Sequence, residues 1–324
     1  MFRTYAQLCR LPAVFTAMAD VLMGYFVARG RMSVRSWAEL IALLACSSCL
    51  YLAGMVLNDI FDREVDARER PHRPIPSGKV PLSRAVTFAL ALIAAGLIAS
   101  KFAGSHQDGF QSVLLALMLL GCIFLYDGWA KRTPFGPIAM GSCRFLNVLL
   151  GAGVHSPNMS LLFSREVTIL ALAMGIYVSG VTWFAKKEAE VSGRGGLIFG
   201  QSVLNLGLVL MAAWITPQMR PVWESLGVWF QTLGLWFDPA VNASRALLML
   251  GVVAVVVNRR ALAALSDPRP AMVQSAVRVM LLSIITIDAT LIYAALGDPG
   301  VPIALGVVGL LIPSFVLGRW MTMT

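Results

Sequence analysis

Residues 50–66 read Leu50-Tyr51-Leu52-Ala53-Gly54-Met55-Val56-Leu57-Asn58-Asp59-Ile60-Phe61-Asp62-Arg63-Glu64-Val65-Asp66. An apolar run that begins near residue 38 passes directly into a cluster of acids, with no turn signal between them. A lipid core needs about 20 apolar residues per helix, so the run reads as a membrane span whose end carries chemistry. The rest of the chain agrees. Of 324 residues, 58% are hydrophobic and 13% charged, and the mean hydropathy is +0.75; soluble chains hold about 45–50% and about 25%. A soluble globular domain, a disordered chain, a collagen-like fibre and a disulfide-stapled secreted fold are all excluded by these proportions.

Comparable runs lie near 11–28, 38–57, 84–101, 111–126, 137–154, 166–185, 197–216, 241–257, 276–296 and 301–318. The last two are parted only by Gly297-Asp298-Pro299-Gly300. The stretch 224–237, with Trp223, Trp229 and Trp236 at intervals, suits the membrane interface better than its core. No polar linker or internal repeat divides the chain, so residues 1–324 are expected to form one all-α, multi-spanning bundle of about nine to ten transmembrane helices. No cleavable signal precedes the first run. With the N-terminus inside, 18 Lys and Arg residues fall on the cytoplasmic side and seven on the other. That asymmetry orients the protein in the cytoplasmic membrane with its acidic cluster facing the cytoplasm.

The net charge is +9. The basic residues sit in short loops rather than on one continuous face, so anionic headgroups and phosphorylated substrates are the expected partners, and nucleic acid is not. Cys9, Cys46, Cys49, Cys122 and Cys143 are odd in number and lie in or beside apolar runs, which argues against a disulfide framework. Cys46-x-x-Cys49 has half the spacing of a zinc site but no second pair, and reads as small packing residues. His72, His106 and His155 occupy different loops and make no ligand set.

On a helix, Asn58, Asp62 and Asp66 are spaced i, i+4, i+8, and Asp59 joins the same face through i+3 and i+7. One amide and three carboxylates thus crowd one face, which costs stability unless a cation neutralises them. Hard oxygen donors favour Mg²⁺, which commonly shares its remaining positions with substrate phosphates; the plainer reading is a solvated helix end paired with Arg63, Arg68 and Arg70. The chain continues Arg70-Pro71-His72-Arg73-Pro74-Ile75-Pro76-Ser77-Gly78-Lys79, a stiff loop that cannot stay helical. It brings Arg70, Arg73 and Lys79 close to the carboxylates, and metal ligands beside guanidinium groups suit a polyanion such as diphosphate.

Asn-Asp-x-x-Asp-x-x-x-Asp followed by Arg-Pro-x-Arg-Pro-Ile-Pro-Ser-Gly resembles the first aspartate-rich motif of the UbiA superfamily of intramembrane prenyltransferases. The resemblance extends to Tyr126-Asp127-Gly128-Trp129-Ala130-Lys131-Arg132. Gly136-Pro137-x-x-Met140-Gly141-x-x-Arg144-x-x-Asn147-x-x-x-Gly151 is similar to the EboC-like branch. It implies a helical bundle around a central cavity open to lipid. It also implies Asn58, Asp59, Asp62 and Asp66 as Mg²⁺–diphosphate ligands, the three aspartates being the catalytic carboxylates. Arg70, Arg73, Lys131 and Arg132 are implied as diphosphate contacts.

The family's second Asp-x-x-x-Asp motif is absent. The corresponding stretch runs from Tyr177 to Glu190 without an aspartate, and Lys186 and Glu190 stand at the two positions. The expectation is that Lys186 or Lys187 replaces the charge of a second Mg²⁺, or that both merely flank the membrane. Asp20, Arg144, Asn147 and Asp288 lie within spans, and Asp127 near a boundary, where ionisable groups are functional candidates by default. Arg144 could pair with a carboxylate or reach phosphate oxygens. Asp288 reads as a buried polar partner or as a general base.

The resemblance and the residues together lead to the expectation of an Mg²⁺-dependent transferase that ionises a prenyl diphosphate and passes its isoprenoid chain to a lipophilic acceptor. The alternative is a non-catalytic isoprenoid- or lipid-binding carrier that retains one diphosphate site. An ion-coupled transporter would call for paired discontinuous helices, which this sequence lacks.

Overall fold

The computed structural model describes residues 2–29, 36–103, 110–153, 165–188, 190–216 and 239–320. Among them are helices and short turns and no strand. A short α1 (Phe2–Leu8) leads into α2 (Val14–Arg29) and α3 (Ser36–Phe61), which is followed by α4 (Arg63–Glu69). After the proline loop come α5 (Leu82–Phe102), α6 (Phe110–Gly128), α7 (Gly136–Ala152), α8 (Arg165–Ala185) and α9 (Arg194–Ile215). The chain closes with α10 (Pro239–Ser266), α11 (Pro270–Leu296), α12 (Val301–Gly309) and α13 (Leu311–Trp320).

Among the described residues, nine helices are long and apolar enough to cross a membrane, the last formed by α12 and α13 with their lead-in turn. The remaining apolar run, near 137–154, is the 17-residue α7. The stretch 224–237 lies outside the described residues. The five cysteines are free, as expected.

Burial sorts the spans into two shells. Over their most apolar windows, α2, α3, α8 and α11 are 56–67% buried, against 17–33% for α5, α6, α9, α10 and the α12–α13 span. The buried residues of α7 run along nearly its whole length, from Gly136 to Ala152. The inner helices carry Asp20, Arg144, Asn147 and Asp288, and the outer ones turn Leu90, Ile98, Val252, Val255 and Leu305 outward. An apolar exterior is what lipid requires.

Small residues bring the inner helices together. A Cβ on Gly24 would sit 2.1 Å from the Val148 carbonyl oxygen, and one on Gly151 would sit 2.2 Å from that of Val21. Lipid gives apolar side chains no reason to leave it, so such backbone contacts supply the packing. The α2–α7 crossing they fix sets Asp20 against Arg144 and Asn147.

Two details depart from the regular helix expected. The acidic segment is not one helix: α3 stops at Phe61, and Asp62 (φ −90°, ψ 2°) begins α4. Bonds from Asp62 N to Asn58 O and from Asp66 N to Asp62 O still carry the chain round at helical pitch, so the face survives the kink. The final span breaks at Leu310 because Pro313 has no N–H to donate to the turn before it.

Candidate functional site

From Ser36 to Leu57, α3 rises about 33 Å, enough to cross a hydrocarbon core of about 30 Å. Asn58 and Asp59 thus emerge at its polar end. Asp59 and Asp66 are only 5% and 3% exposed, and three other parts of the chain close over them.

The first is the proline loop. Hydrogen bonds from Arg73 N to Arg70 O, Ser77 N to Arg73 O and Val80 N to Pro74 O fold it back, and Gly78 takes the positive φ (74°) its turn requires. This sets Arg73 Nη1 2.6 Å from Asp66 Oδ2 and 3.3 Å from Asp59 Oδ1. The second is the entry to α2. Arg10 adopts a left-handed conformation (φ 47°, ψ 47°), uncommon for a residue with a Cβ. Its Nη2 lies 3.4 Å from both Asn58 Oδ1 and Asp59 Oδ1. The third is the end of α6. Asn58 Nδ2 donates to Asp127 Oδ1 at 2.8 Å. In the turn Ala130–Arg132, Lys131 Nζ lies 2.8 Å from Asp62 Oδ2 and 3.8 Å from Asp127 Oδ1. Arg132 Nη2 lies 3.7 Å from Asp62 Oδ1 and donates to the Phe61 carbonyl at 3.2 Å.

Four carboxylates (Asp59, Asp62, Asp66, Asp127) thus meet four cations (Arg10, Arg73, Lys131, Arg132) at one end of the bundle. Lys131 Nζ is buried between Asp62 and Asp127. Glu188 joins from just beyond α8. Burial raises its carboxyl above the usual range, and the charges of Arg70 and Arg10 pull it part of the way back.

The residues named from sequence divide accordingly. Asn58, Asp59, Asp62, Asp66, Arg73, Lys131 and Arg132 are brought together, and Arg70 faces Glu188 at the rim. Lys186 is exposed, its ammonium 5.8 Å from the Trp183 ring centroid, and it shares none of these ion pairs. Arg144 is engaged elsewhere: Nη1 donates to Asp20 Oδ2 and Nη2 to Thr16 Oγ1, both at 2.8 Å. Inside the bundle a buried guanidinium needs such a partner, and Asp20 supplies it. The residues the motif did not name are Arg10 and Glu188. The acid following Lys186-Lys187 was legible in the sequence; Arg10 carried no such signal, its left-handed turn being a property of the fold.

Among the described residues, no three of His, Cys, Asp and Glu are gathered as a ready-made metal site. The donor set nevertheless fits Mg²⁺: Asn58 and four aspartates offer hard oxygens. Cationic side chains already neutralise them, Arg73 between Asp59 and Asp66 and Lys131 between Asp62 and Asp127. A cleft of about 770 Å³ opens beside this cluster, lined by Tyr5, Cys9, Leu52, Arg84 and Phe88 among others.

The fold and chain are similar to known proteins. The digeranylgeranylglyceryl phosphate synthase of Methanocaldococcus jannaschii is 28% identical over 262 residues, covering 76% of this chain and 86% of that protein. The chain spans about half the length of further relatives of that name. Among solved structures, the apo UbiA homologue from Aeropyrum pernix K1 superposes with a TM-score of 0.62 at 16% identity, covering 90% of this chain and 98% of the other. A UbiA homologue from Archaeoglobus fulgidus bound to DMAPP and Mg²⁺ gives 0.53 at 14% identity, over 91% and 99%. The model of the UbiA prenyltransferase family matches residues 17–252, so the chain belongs to that family.

Proposed function

We propose that the cluster at the end of α3 binds the diphosphate of a prenyl donor together with Mg²⁺, and that the protein transfers the isoprenoid chain to a lipophilic acceptor. The observation that carries this reading is the matched set of four acids and four cations in a chain of the prenyltransferase family. Asn58, Asp59, Asp62 and Asp66, with Asp127, would hold the metal. When bound, it neutralises charge on the departing diphosphate.

The chain's own residues do the rest. Arg10, Arg73, Lys131 and Arg132 exchange carboxylate partners for diphosphate oxygens. We assign Arg70 and Lys186 to its outer oxygens. As the C–O bond to diphosphate breaks, apolar walls keep water from the allylic cation; the acceptor then attacks and loses a proton. Arg144 is assigned to the inner polar group.

For the acceptor, the name of the Methanocaldococcus jannaschii relative supports a lipid with a glyceryl phosphate head. The cleft beside Cys9, apolar along Leu52 and Phe88 with Arg84 on its wall, suits such an amphiphile. The excess of Lys and Arg at this end supports a cytoplasmic site in the cytoplasmic membrane, with residues 1–324 acting as one domain.

The test is diphosphate release from allylic diphosphates of several lengths by protein in nanodiscs, with and without Mg²⁺ and a membrane lipid extract. Mg²⁺-dependent release that disappears in Asp62→Ala is expected. Binding without release under every condition would mean a carrier.

A further inference from the structure

A second polar group lies inside the bundle. Asp20 on α2 and Asp288 on α11 are both completely shielded. Asp20 Oδ2 accepts from Arg144 Nη1 at 2.8 Å and from Asn147 Nδ2 at 3.2 Å. Asn147 is fixed in turn, donating to the Ala17 carbonyl at 2.8 Å and accepting from Ser47 Oγ at 2.7 Å. Among the described residues, three oxygens of this group have no hydrogen-bond donor: Asp20 Oδ1 and both oxygens of Asp288.

α2 packs against α11, and there the carboxyls of Asp20 and Asp288 act on each other. As two carboxylates they cannot bond, because each offers only lone pairs. The charges acting on Asp288 are those of Asp20 and Arg144. From α3, Tyr51 adds a neutral phenol beside Arg144, its ring centroid 5.7 Å from the guanidinium. From α8, the Tyr177 hydroxyl is taken up by the Met280 carbonyl at 2.8 Å. Two acids therefore share one base. With both ionised, the group would carry an uncompensated negative charge in the most enclosed part of a membrane bundle, where such charge is expensive.

We propose that Asp20 and Asp288 bind one proton between them. Asp288 is the acid, donating its O–H to Asp20 Oδ1, and Asp20 is the carboxylate that answers Arg144. This arrangement satisfies Asp20 Oδ1, gives Asp288 a donor, and makes the group electrically neutral. It also ties α2, α7 and α11 through one hydrogen-bonded chain. The site is separate from the diphosphate cluster, and its ligand is a proton.

Infrared spectroscopy of the wild-type protein in nanodiscs tests this without a variant. A carboxylic-acid C=O band that shifts in D₂O should be present at neutral pH and persist under mildly alkaline conditions. The difference spectrum of wild type minus Asp288→Asn should contain one such band per chain. Asp288→Asn, which keeps a donor at that position, should melt close to wild type, whereas Asp20→Asn strips Arg144 of its counter-charge and should melt lower. Absence of the band from wild type, or its survival in Asp288→Asn, would overturn the proposal. So would its disappearance when potassium is exchanged for sodium, which would make the ligand a metal cation. Should Asp288→Asn fail to fold, ¹³C-aspartate labelling of the wild type decides the matter: an unshifted acid band would exclude aspartate as its source.

Discussion

Arg73 bridges Asp66 at 2.6 Å and Asp59 at 3.3 Å with a side chain only 12% exposed. Its replacement by methionine should therefore move two measurable quantities in opposite directions. At an effective dielectric constant of about 20, those contacts correspond to gross attractions of about 6 and about 5 kcal/mol. Desolvation cancels most of this, and removing one partner from a buried pair costs about 3–5 kcal/mol. Asp59 keeps Arg10 at 3.4 Å, whereas Asp66 has no other ion pair among the described residues. The bared carboxylates should attract Mg²⁺ more strongly and lower the metal concentration needed for half-maximal rate. The diphosphate loses a charge-assisted hydrogen bond worth about 1.5–3 kcal/mol, so its KM should rise about 10- to 150-fold. The assay is diphosphate release in nanodiscs, titrating prenyl diphosphate at saturating Mg²⁺ and then Mg²⁺ at fixed diphosphate, with Arg73→Lys as a variant that keeps charge but not the fork. A folded Arg73→Met protein in which both constants stay within about threefold of wild type would refute this reasoning. A metal requirement that rises along with KM would refute it equally, since Arg73 would then not compete with the ion.

Other outcomes follow from the same geometry. Gly151→Ala sets a Cβ 2.2 Å from a backbone oxygen that cannot move aside; overpacking of this kind costs about 1–3 kcal/mol, and a lower melting temperature should show it. Glu188 holds its proton more tightly in the folded protein than in the unfolded chain, because burial outweighs Arg70 and Arg10. Its contribution to stability is full below the ordinary glutamate range and is lost as pH rises through the raised value. Wild type should therefore lose stability relative to Glu188→Gln across that window, and parallel melting curves would contradict it. Lys186→Ala should weaken diphosphate binding only a few-fold, as expected of an exposed charge; unchanged binding in the single Lys186 and Lys187 variants and the double would remove both from the site.

How much was legible in the sequence depended on whether a feature was local. The span ending in Asn58-Asp59 could be read because hydropathy and side-chain spacing are properties of neighbours, and the loop from Arg70 to Lys79 because proline acts on its own backbone. The kink at Asp62 escaped such a reading, since the helical bonds continue across it. Arg10 meets Asn58 across 48 residues, and Arg144 meets Asp20 across 124. Nothing in the composition around Arg10 marks it as a partner of Asp59. The protonated pair was less accessible still: Asp20 and Asp288 each look like isolated polar residues in apolar runs. Only the close α2–α7 crossing at Gly24 and Gly151, with α11 laid beside it, makes them one group.

The start of α2 and the ends of α3, α6 and α8 bring their charges to the same end of the bundle, while the outer helices turn apolar side chains outward. A molecule with an ionic head and a long hydrocarbon tail meets this protein already oriented by the bilayer it lives in. Its head need not leave water nor its tail leave lipid before they engage. Encounter is then a search in two dimensions along the leaflet, and turnover at low substrate should follow moles of donor per mole of lipid rather than per litre. Diluting the donor with inert phospholipid should slow the reaction even when its bulk concentration is held constant.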